Sequence, residues 1–216
     1  MQERGKFVVF EGPGGSGKGT QIEFSEKLLK ANKLPTVFTR EPGGIEAAET
    51  IRNLIFVLRR KELIKAEGQM VLFFAARQLW VVGVVKPNID KGVNVLTDRS
   101  YASTGAYQGY AEGGDQKTIL EIADAIMGDY KPDAVILLDV SRETSLKRRG
   151  INTNGDPFDE RPPEYFDKVI AGYREMAAAG WGGLNWFMVN GEMKPELVSE
   201  EIAKILEDVF HQKLER

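Results

Sequence analysis

The sequence predicts a three-layer α/β fold in which helices cover both faces of a mostly parallel sheet of five strands. Short apolar runs alternate along the 216 residues with longer segments whose apolar side chains recur at helical spacing. Strands that lack a polar face are typical of a parallel sheet buried between helices. No linker-like segment divides the chain, so we expect a single domain over residues 1–216.

The strands are predicted from short runs in which β-branched and aromatic side chains are frequent. The run FVVFE opens the series, TVFT and VNVLTD follow, AVILLD is the clearest buried strand, and WFMV closes it. In chain order these strands are residues 7–11, 36–39, 93–98, 134–139 and 186–189.

The helices are predicted from apolar spacing. Ile51, Leu54, Ile55 and Leu58, for example, fall on one helical face. A polar loop and a helix are expected after the third strand, whereas residues 151–163 have turn composition and no helical period. Apart from the helix after the third strand, the predicted helical segments are residues 18–31, 45–58, 65–85, 119–127, 141–149, 165–179 and 195–210.

Composition and charge exclude several classes of protein. A net charge of −3 does not suit a general nucleic-acid or membrane-surface binder. The chain has no cysteine and therefore no thiol nucleophile, and its one histidine, His211, lies in a polar tail. No apolar run reaches the length of a membrane span, and the N-terminal run is too short for a signal peptide. We expect a soluble, cytoplasmic protein without nucleic-acid or membrane partners.

A glycine-rich turn, EGPGGSGKGTQ, joins the first strand to the first helix. Glycines let backbone N–H groups converge on one point, and a helix N-terminus and a lysine add positive charge. The spacing matches the phosphate-binding loop of P-loop NTPases, except that Gly19 stands where Ser or Thr is usual. The alternative is a tight turn with structural glycines. The expected polyphosphate cradle comprises Gly12, Pro13, Gly14, Gly15, Ser16, Gly17, Lys18, Gly19 and Thr20.

Further polar side chains follow the second and third strands at the same edge of the sheet. Arg40 of TREPGG and Arg99 of TDRSYASTGAYQG could grip a phosphate, and Asp98 could organise magnesium. A surface ion pair and a helix cap are the alternatives. Phe73 and Arg77 of FFAAR share a helix face, either to stack on a base and bond its edge or as a core Phe beside a surface Arg.

Cations also cluster near the turn-rich segment. The run KRR precedes it, and Arg161 lies within it. Such cations could close on phosphates from a short mobile lid at about residues 148–163, or they could belong to a solvated helix end. The candidate lid cations are Arg148, Arg149 and Arg161.

Four motifs, FEGPGGSGKGTQ, TREPGG, FFAAR and DRSYASTGAYQG, occur in this order, and with them the sequence resembles the thymidylate kinases over nearly its whole length. The resemblance implies a nucleoside monophosphate kinase that transfers the γ-phosphoryl group of ATP to dTMP with Mg²⁺, for dTTP synthesis. It also implies a homodimer, in which the apolar helix VLFFAARQLWVVGVV is either interface or core.

The resemblance further implies individual roles. Lys18 would contact the transferred group, Asp98 would organise magnesium with Thr20 as a second candidate ligand, and the lid arginines would neutralise charge. Arg40 and Arg99 would hold the dTMP phosphate, and Tyr107 would disfavour a ribose 2′-OH. The dTMP-binding set is Arg40, Phe73, Arg77, Arg99, Thr104, Tyr107 and Gln108.

The sequence departs from the family pattern at three places. Gly14 stands where an acidic residue is usual, Gly19 gives a loop like that of adenylate kinases, and Asp156-Pro157 stands where the lid commonly reads Asp-Arg. The loop contains no arginine, so we expect the type of enzyme whose catalytic arginine is in the lid. A kinase for dUMP or AMP is the main alternative. A nucleotide-binding module without transferase activity is the other.

Overall fold

One parallel sheet forms the centre of the molecule. A computed structural model describes residues 4–150, 157–158 and 160–215. Within these residues five strands pair in the order β2-β3-β1-β4-β5, all parallel. The predicted fold class is therefore confirmed. The strands are β1 (Phe7–Glu11), β2 (Thr36–Arg40), β3 (Asn94–Asp98), β4 (Ala134–Asp139) and β5 (Trp186–Asn190).

Helices connect the strands, mostly close to the predicted bounds. The segment predicted at 65–85 contains a π-helical stretch, Val81–Val85, and the helix after β3 continues as a second one, Gly105–Ala111. The helices are α1 (Lys18–Ala31), α2 (Glu46–Arg60), α3 (Ala66–Trp80), α4 (Lys86–Ile89), α5 (Tyr101–Thr104), α6 (Gln116–Met127), α7 (Arg142–Arg149), α8 (Pro163–Ala179) and α9 (Pro195–Phe210).

Apolar layers cover the sheet on both faces. Phe7 and Val9 of β1 pack into one core with Trp80 of α3, whereas Val8 and Phe10 pack into another with side chains of α1 and α9. This alternation follows from the pleat, which points successive side chains to opposite faces. Burial on both faces explains why β1 and β4 carry no polar side chain before their carboxyl ends.

The continuous helix Ala66–Ile89 is long and apolar enough, by length and composition alone, to cross a membrane. Just over half of its most apolar stretch is buried against other elements. Trp80 and Val85 within it are fully buried, and Trp80 packs beside Phe7 of the sheet with ring centroids 5.9 Å apart. These contacts are those of a core helix in a layered fold.

The parallel register fixes where chemistry can occur. Arg40 pairs with Asp98, and Phe10, one residue before Glu11, pairs with the same Asp98. The polar residues that end three neighbouring strands therefore lie at one edge of the sheet. Ligands in open parallel sheets bind at this edge, beyond the carboxyl ends of the strands.

Candidate active site

The glycine-rich turn forms a tight loop between β1 and α1. Gly15 has φ of +75°, and a Cβ placed there would lie 2.4 Å from the carbonyl oxygen of Ser145. Ser145 also donates its hydroxyl hydrogen bond to the carbonyl of Gly14, at 2.6 Å. Only glycine at position 15 lets α7 pack directly against the loop. Space remains open around Gly17 and Gly19, where a ligand could approach the backbone.

Lys18 connects this loop to the end of β3. Its buried ammonium donates to the carbonyls of Gly12 at 3.0 Å and Pro13 at 3.2 Å. The same nitrogen lies 4.0 Å from Oδ1 of Asp98. A full positive charge is thus held where the loop meets the neighbouring strand end. Gly19 and Thr20 are exposed on the first turn of α1.

A cleft of about 230 Å³ opens beside the loop, above the ends of β2 and β3. The structure brings together here every residue that the sequence assigned to dTMP, together with Asp98. The predicted residues that line the cleft are Arg40, Phe73, Arg77, Asp98, Arg99, Thr104, Tyr107 and Gln108. Arg148, Arg149 and Arg161 are not among the lining residues.

One end of the cleft carries a buried ion pair. Arg77 contacts Glu41 through Nε and donates from Nη2 to the hydroxyl of Thr104 at 3.2 Å. Its Nη1 is buried and has no hydrogen-bond partner among the described residues, so it is available to an acceptor on a ligand. Burial raises the pKa of Glu41 from 4.5 to about 7, against the lowering effect of the Arg77 cation.

The other end of the cleft is built around Arg99. This residue has φ of +75°, a rare backbone conformation for a non-glycine residue that recurs at functional sites. Nη1 of Arg99 donates to the hydroxyls of Ser103 at 3.0 Å and Tyr173 at 3.3 Å. Its guanidinium also lies over the ring of Tyr107, 5.3 Å from the centroid.

The sequence analysis missed the carboxylate that organises this end. Glu11 is fully buried and accepts hydrogen bonds from the backbone N–H and hydroxyl of both Ser100 and Ser103. It also accepts from the hydroxyl of Tyr173 at 2.8 Å. The sequence signal that could have identified Glu11 was its place as a carboxylate at the end of a buried apolar run. Tyr173 lies within the apolar spacing of α8 and gave none.

Other lining residues were not predicted either. Arg52 lies with its guanidinium 4.2 Å from the ring centroid of Phe56, and both line the cleft. Phe158 lines it too, with its ring 5.7 Å from that of Phe73. Arg40, which was predicted, forms an ion pair with Glu49 at 2.5 Å, and its side chain is half exposed. Arg52 and Phe56 lie on a helix whose pattern indicated only packing.

The candidate lid arginines lie outside the cleft. Arg148 donates to the carbonyl of Gly191 at 2.7 Å, Arg149 lies over the ring of Phe166, and Arg161 lies over the ring of Tyr165. Part of the predicted lid, residues 151–156 and 159 with Asp156 among them, falls outside the described residues. The catalytic roles of the three lid arginines therefore stay predictions.

The residues present fit a magnesium ion held by few protein ligands. Oδ1 of Asp98 is buried without a hydrogen-bond partner in the described part of the chain, and Lys18 is its nearby cation. No group of three or more His, Cys, Asp or Glu side chains that could hold a metal occurs among the described residues. Magnesium at phosphate-transfer sites is commonly held by one or two carboxylates, water and substrate phosphates.

Comparisons with known proteins agree with this geometry. The family model "Thymidylate kinase" matches residues 10–202. A thymidylate kinase of Roseiflexus sp. (strain RS-1) is 37% identical over 213 residues, 93% of each chain. One from Marinomonas sp. (strain MWYL1) is 39% identical over 176 residues, 82% of each chain. The chain belongs to the thymidylate kinase family.

Proposed function

We propose that this protein transfers the γ-phosphoryl group of ATP to dTMP, giving dTDP and ADP. The observation that carries the proposal is the meeting of two sites. A phosphate loop and an acceptor cleft adjoin where the ammonium of Lys18 lies 4.0 Å from Asp98. A donor phosphate on the loop and an acceptor phosphate in the cleft would therefore face each other across these residues.

The cleft has the polarity that dTMP requires. Arg99 gives one end a cation for the phosphate, and Arg40 and Arg52 are further cations that line the cleft. At the other end, Phe73 offers a face for the base, and Nη1 of Arg77 offers a donor for a base oxygen. Tyr107, whose ring lies beneath the guanidinium of Arg99, is proposed to contact the sugar. Thr104 holds Arg77 in place through its hydroxyl.

Catalysis is proposed to rest on positioning and charge neutralisation. The phosphate oxygen of dTMP is already a nucleophile, so no side-chain base is needed. Backbone N–H groups of the loop and Lys18 hold the donor phosphates, and Arg99 holds the acceptor in line. Asp98 and Thr20 are the proposed magnesium ligands. The ion, when bound, supplies charge neutralisation on the phosphates. Arg148, Arg149 or Arg161 is proposed to add a further cation from the lid.

The test is a stoichiometric transfer assay. Purified protein is incubated with ATP, Mg²⁺ and dTMP, and dTDP and ADP are quantified by chromatography. We expect equal amounts of the two products. ADP without dTDP would contradict phosphoryl transfer to dTMP and would indicate ATP hydrolysis instead. Omission of Mg²⁺ is expected to stop product formation, which tests the metal requirement in the same experiment.

We further propose that the enzyme is a cytoplasmic homodimer. An apolar groove between α2, α3 and α6 is lined by side chains that include Ile51, Val71 and Ile126. Val71 is 57% exposed and Leu79 37%, so this face is largely uncovered in the single chain. Contiguous exposed apolar surface of this kind typically marks an interface. A second copy of the chain is the proposed occupant.

A further inference from the structure

The amide of Gln108 lines the cleft and is held by a chain of hydrogen bonds that leads away from it. Nε2 of Gln108 donates to Oε1 of Gln69 at 3.2 Å, and Nη1 of Arg59 donates to the same oxygen at 2.6 Å. Both glutamines are 2% exposed. Neither Gln69 nor Arg59 lines the cleft, so neither contacts a ligand there directly, and Gln108 is the lining residue to which Gln69 is bonded.

The direction of each amide in this chain is fixed by its partners. A guanidinium can only donate, so the oxygen of Gln69 must face Arg59. Nε2 of Gln69 correspondingly approaches the carbonyl of Ile64 at 3.4 Å, and that carbonyl can only accept. Because the oxygen of Gln69 accepts, Gln108 must approach it with its NH₂ group. The group that Gln108 can offer to a ligand is therefore its oxygen, which has no hydrogen-bond partner among the described residues.

Arg59 cannot easily turn away from Gln69. Its Nη2 forms an ion pair with Glu112 at 2.7 Å, with both side chains at most 10% exposed. Its guanidinium lies 3.9 Å from the ring centroid of Phe158. Tyr165 donates to the same oxygen of Glu112 at 2.9 Å, which holds the carboxylate in place. A buried network satisfied in this way is rigid.

We propose that Arg59 and Gln69 are positioning residues that lock the amide of Gln108 with its oxygen toward the acceptor base. The proposal rests on the proposed function. Thymine and uracil carry an N–H at position 3, which can donate to this oxygen. Cytosine carries a lone pair there, which the oxygen repels. This relay of Arg59, Gln69 and Gln108 therefore selects pyrimidines with an N3–H against cytosine. It does not distinguish thymine from uracil.

The test compares three acceptors with two substitutions of one residue. Gln69→Leu removes the oxygen at nearly constant size, whereas Gln69→Glu keeps an acceptor for both Arg59 and Gln108. kcat/KM is measured with ATP for dTMP, dUMP and dCMP. In Gln69→Leu the preference for dTMP over dCMP is expected to fall about tenfold, because the amide of Gln108 can then turn. The dTMP-to-dUMP ratio is expected to stay within about twofold of the wild type.

The matched variant separates the relay from a general loss of packing. Gln69→Glu is expected to keep the wild-type dTMP-to-dCMP ratio. An unchanged ratio in folded Gln69→Leu, or an equal fall in Gln69→Glu, would overturn the proposal. If thermal unfolding shows that Gln69→Leu does not fold, Gln69→Met must show the same loss of preference. A wild type that phosphorylates dTMP and dCMP equally well would contradict the relay alone. A wild type that phosphorylates neither would overturn the proposed function together with the relay.

Discussion

Lys18 is the single residue on which phosphoryl transfer should depend most. Its ammonium is held by two loop carbonyls and lies beside Asp98, at the junction of loop and cleft. Lys18→Ala should lower kcat by roughly 10²–10³-fold, because the charge that stabilises the transferred group is lost. Lys30→Ala, on the exposed last turn of the same helix, is the control and should leave kcat unchanged. Near-normal turnover in Lys18→Ala would remove this residue from the mechanism.

Glu41 should make stability depend on pH. Burial raises its pKa from 4.5 to about 7, although Arg77 lowers it. The folded protein therefore binds this proton more tightly than the unfolded chain, and the associated stability is lost as pH rises from about 4.5 to 7. Glu41→Gln cannot titrate. The wild type should therefore lose about 3 kcal/mol of unfolding free energy relative to Glu41→Gln as the pH rises through this window.

Urea denaturation of both proteins at pH 4 and pH 8 measures this difference. The sign is the informative quantity. A shift in favour of the wild type at high pH would mean that Glu41 is ionised throughout and that its pair with Arg77 stabilises the fold.

At the scale of elements, β1, β3 and α8 are tied together beneath the phosphate end of the cleft. Tyr173 of α8 donates to Glu11 of β1 and accepts from Arg99, which follows β3. Tyr173→Phe should raise KM for dTMP about fivefold with a smaller change in kcat, because Arg99 loses one of its supports. Tyr130→Phe, which removes an exposed hydroxyl bonded to Asp90, is the control and should leave KM unchanged. Equal kinetics in the two variants would show that Arg99 is held without α8.

The elements themselves were largely predictable, and the site only in part. Strands buried on both faces must be apolar throughout, so FVVFE and AVILLD were identified from composition alone. Helix starts were harder to predict. The helix expected from residue 119, its first buried apolar position, begins three residues earlier at Gln116, where Asp115 caps it. The π-helical stretch that carries Tyr107 and Gln108 has no periodic signature in the sequence.

Within the site, residues that belong to sequence motifs were identified, and residues that reach it from elsewhere were not. Arg40 and Arg99 follow strands, so their edge of the sheet could be inferred. Gln69 and Arg59 act from helices packed behind the cleft, and their contacts depend on how those helices meet. Such contacts join residues that are far apart in the sequence, so no local sequence pattern reveals them.

For the whole molecule, the uncovered groove predicts the oligomeric state. Val71→Asp places a charge in the groove, and burying that charge against a second copy would be costly. Light scattering should give twice the 24.1 kDa chain mass for the wild type and the single-chain mass for the variant. Val57→Asp, at an exposed apolar residue outside the groove, is the control and should stay dimeric. A monomeric wild type would contradict the proposed dimer.

Acceptor preference tests the central claim most directly. Initial rates of ATP-dependent phosphorylation should be measured with Mg²⁺ for dTMP, dUMP, dCMP, dGMP and AMP. The geometry of the cleft predicts that dTMP has the highest kcat/KM, with AMP lower by at least about a hundredfold, because adenine presents an amino group to the Arg77 donor and a ring lone pair to the Gln108 oxygen. A preference for AMP, or no transfer to dTMP, would contradict the assignment of this cleft as a thymidylate site.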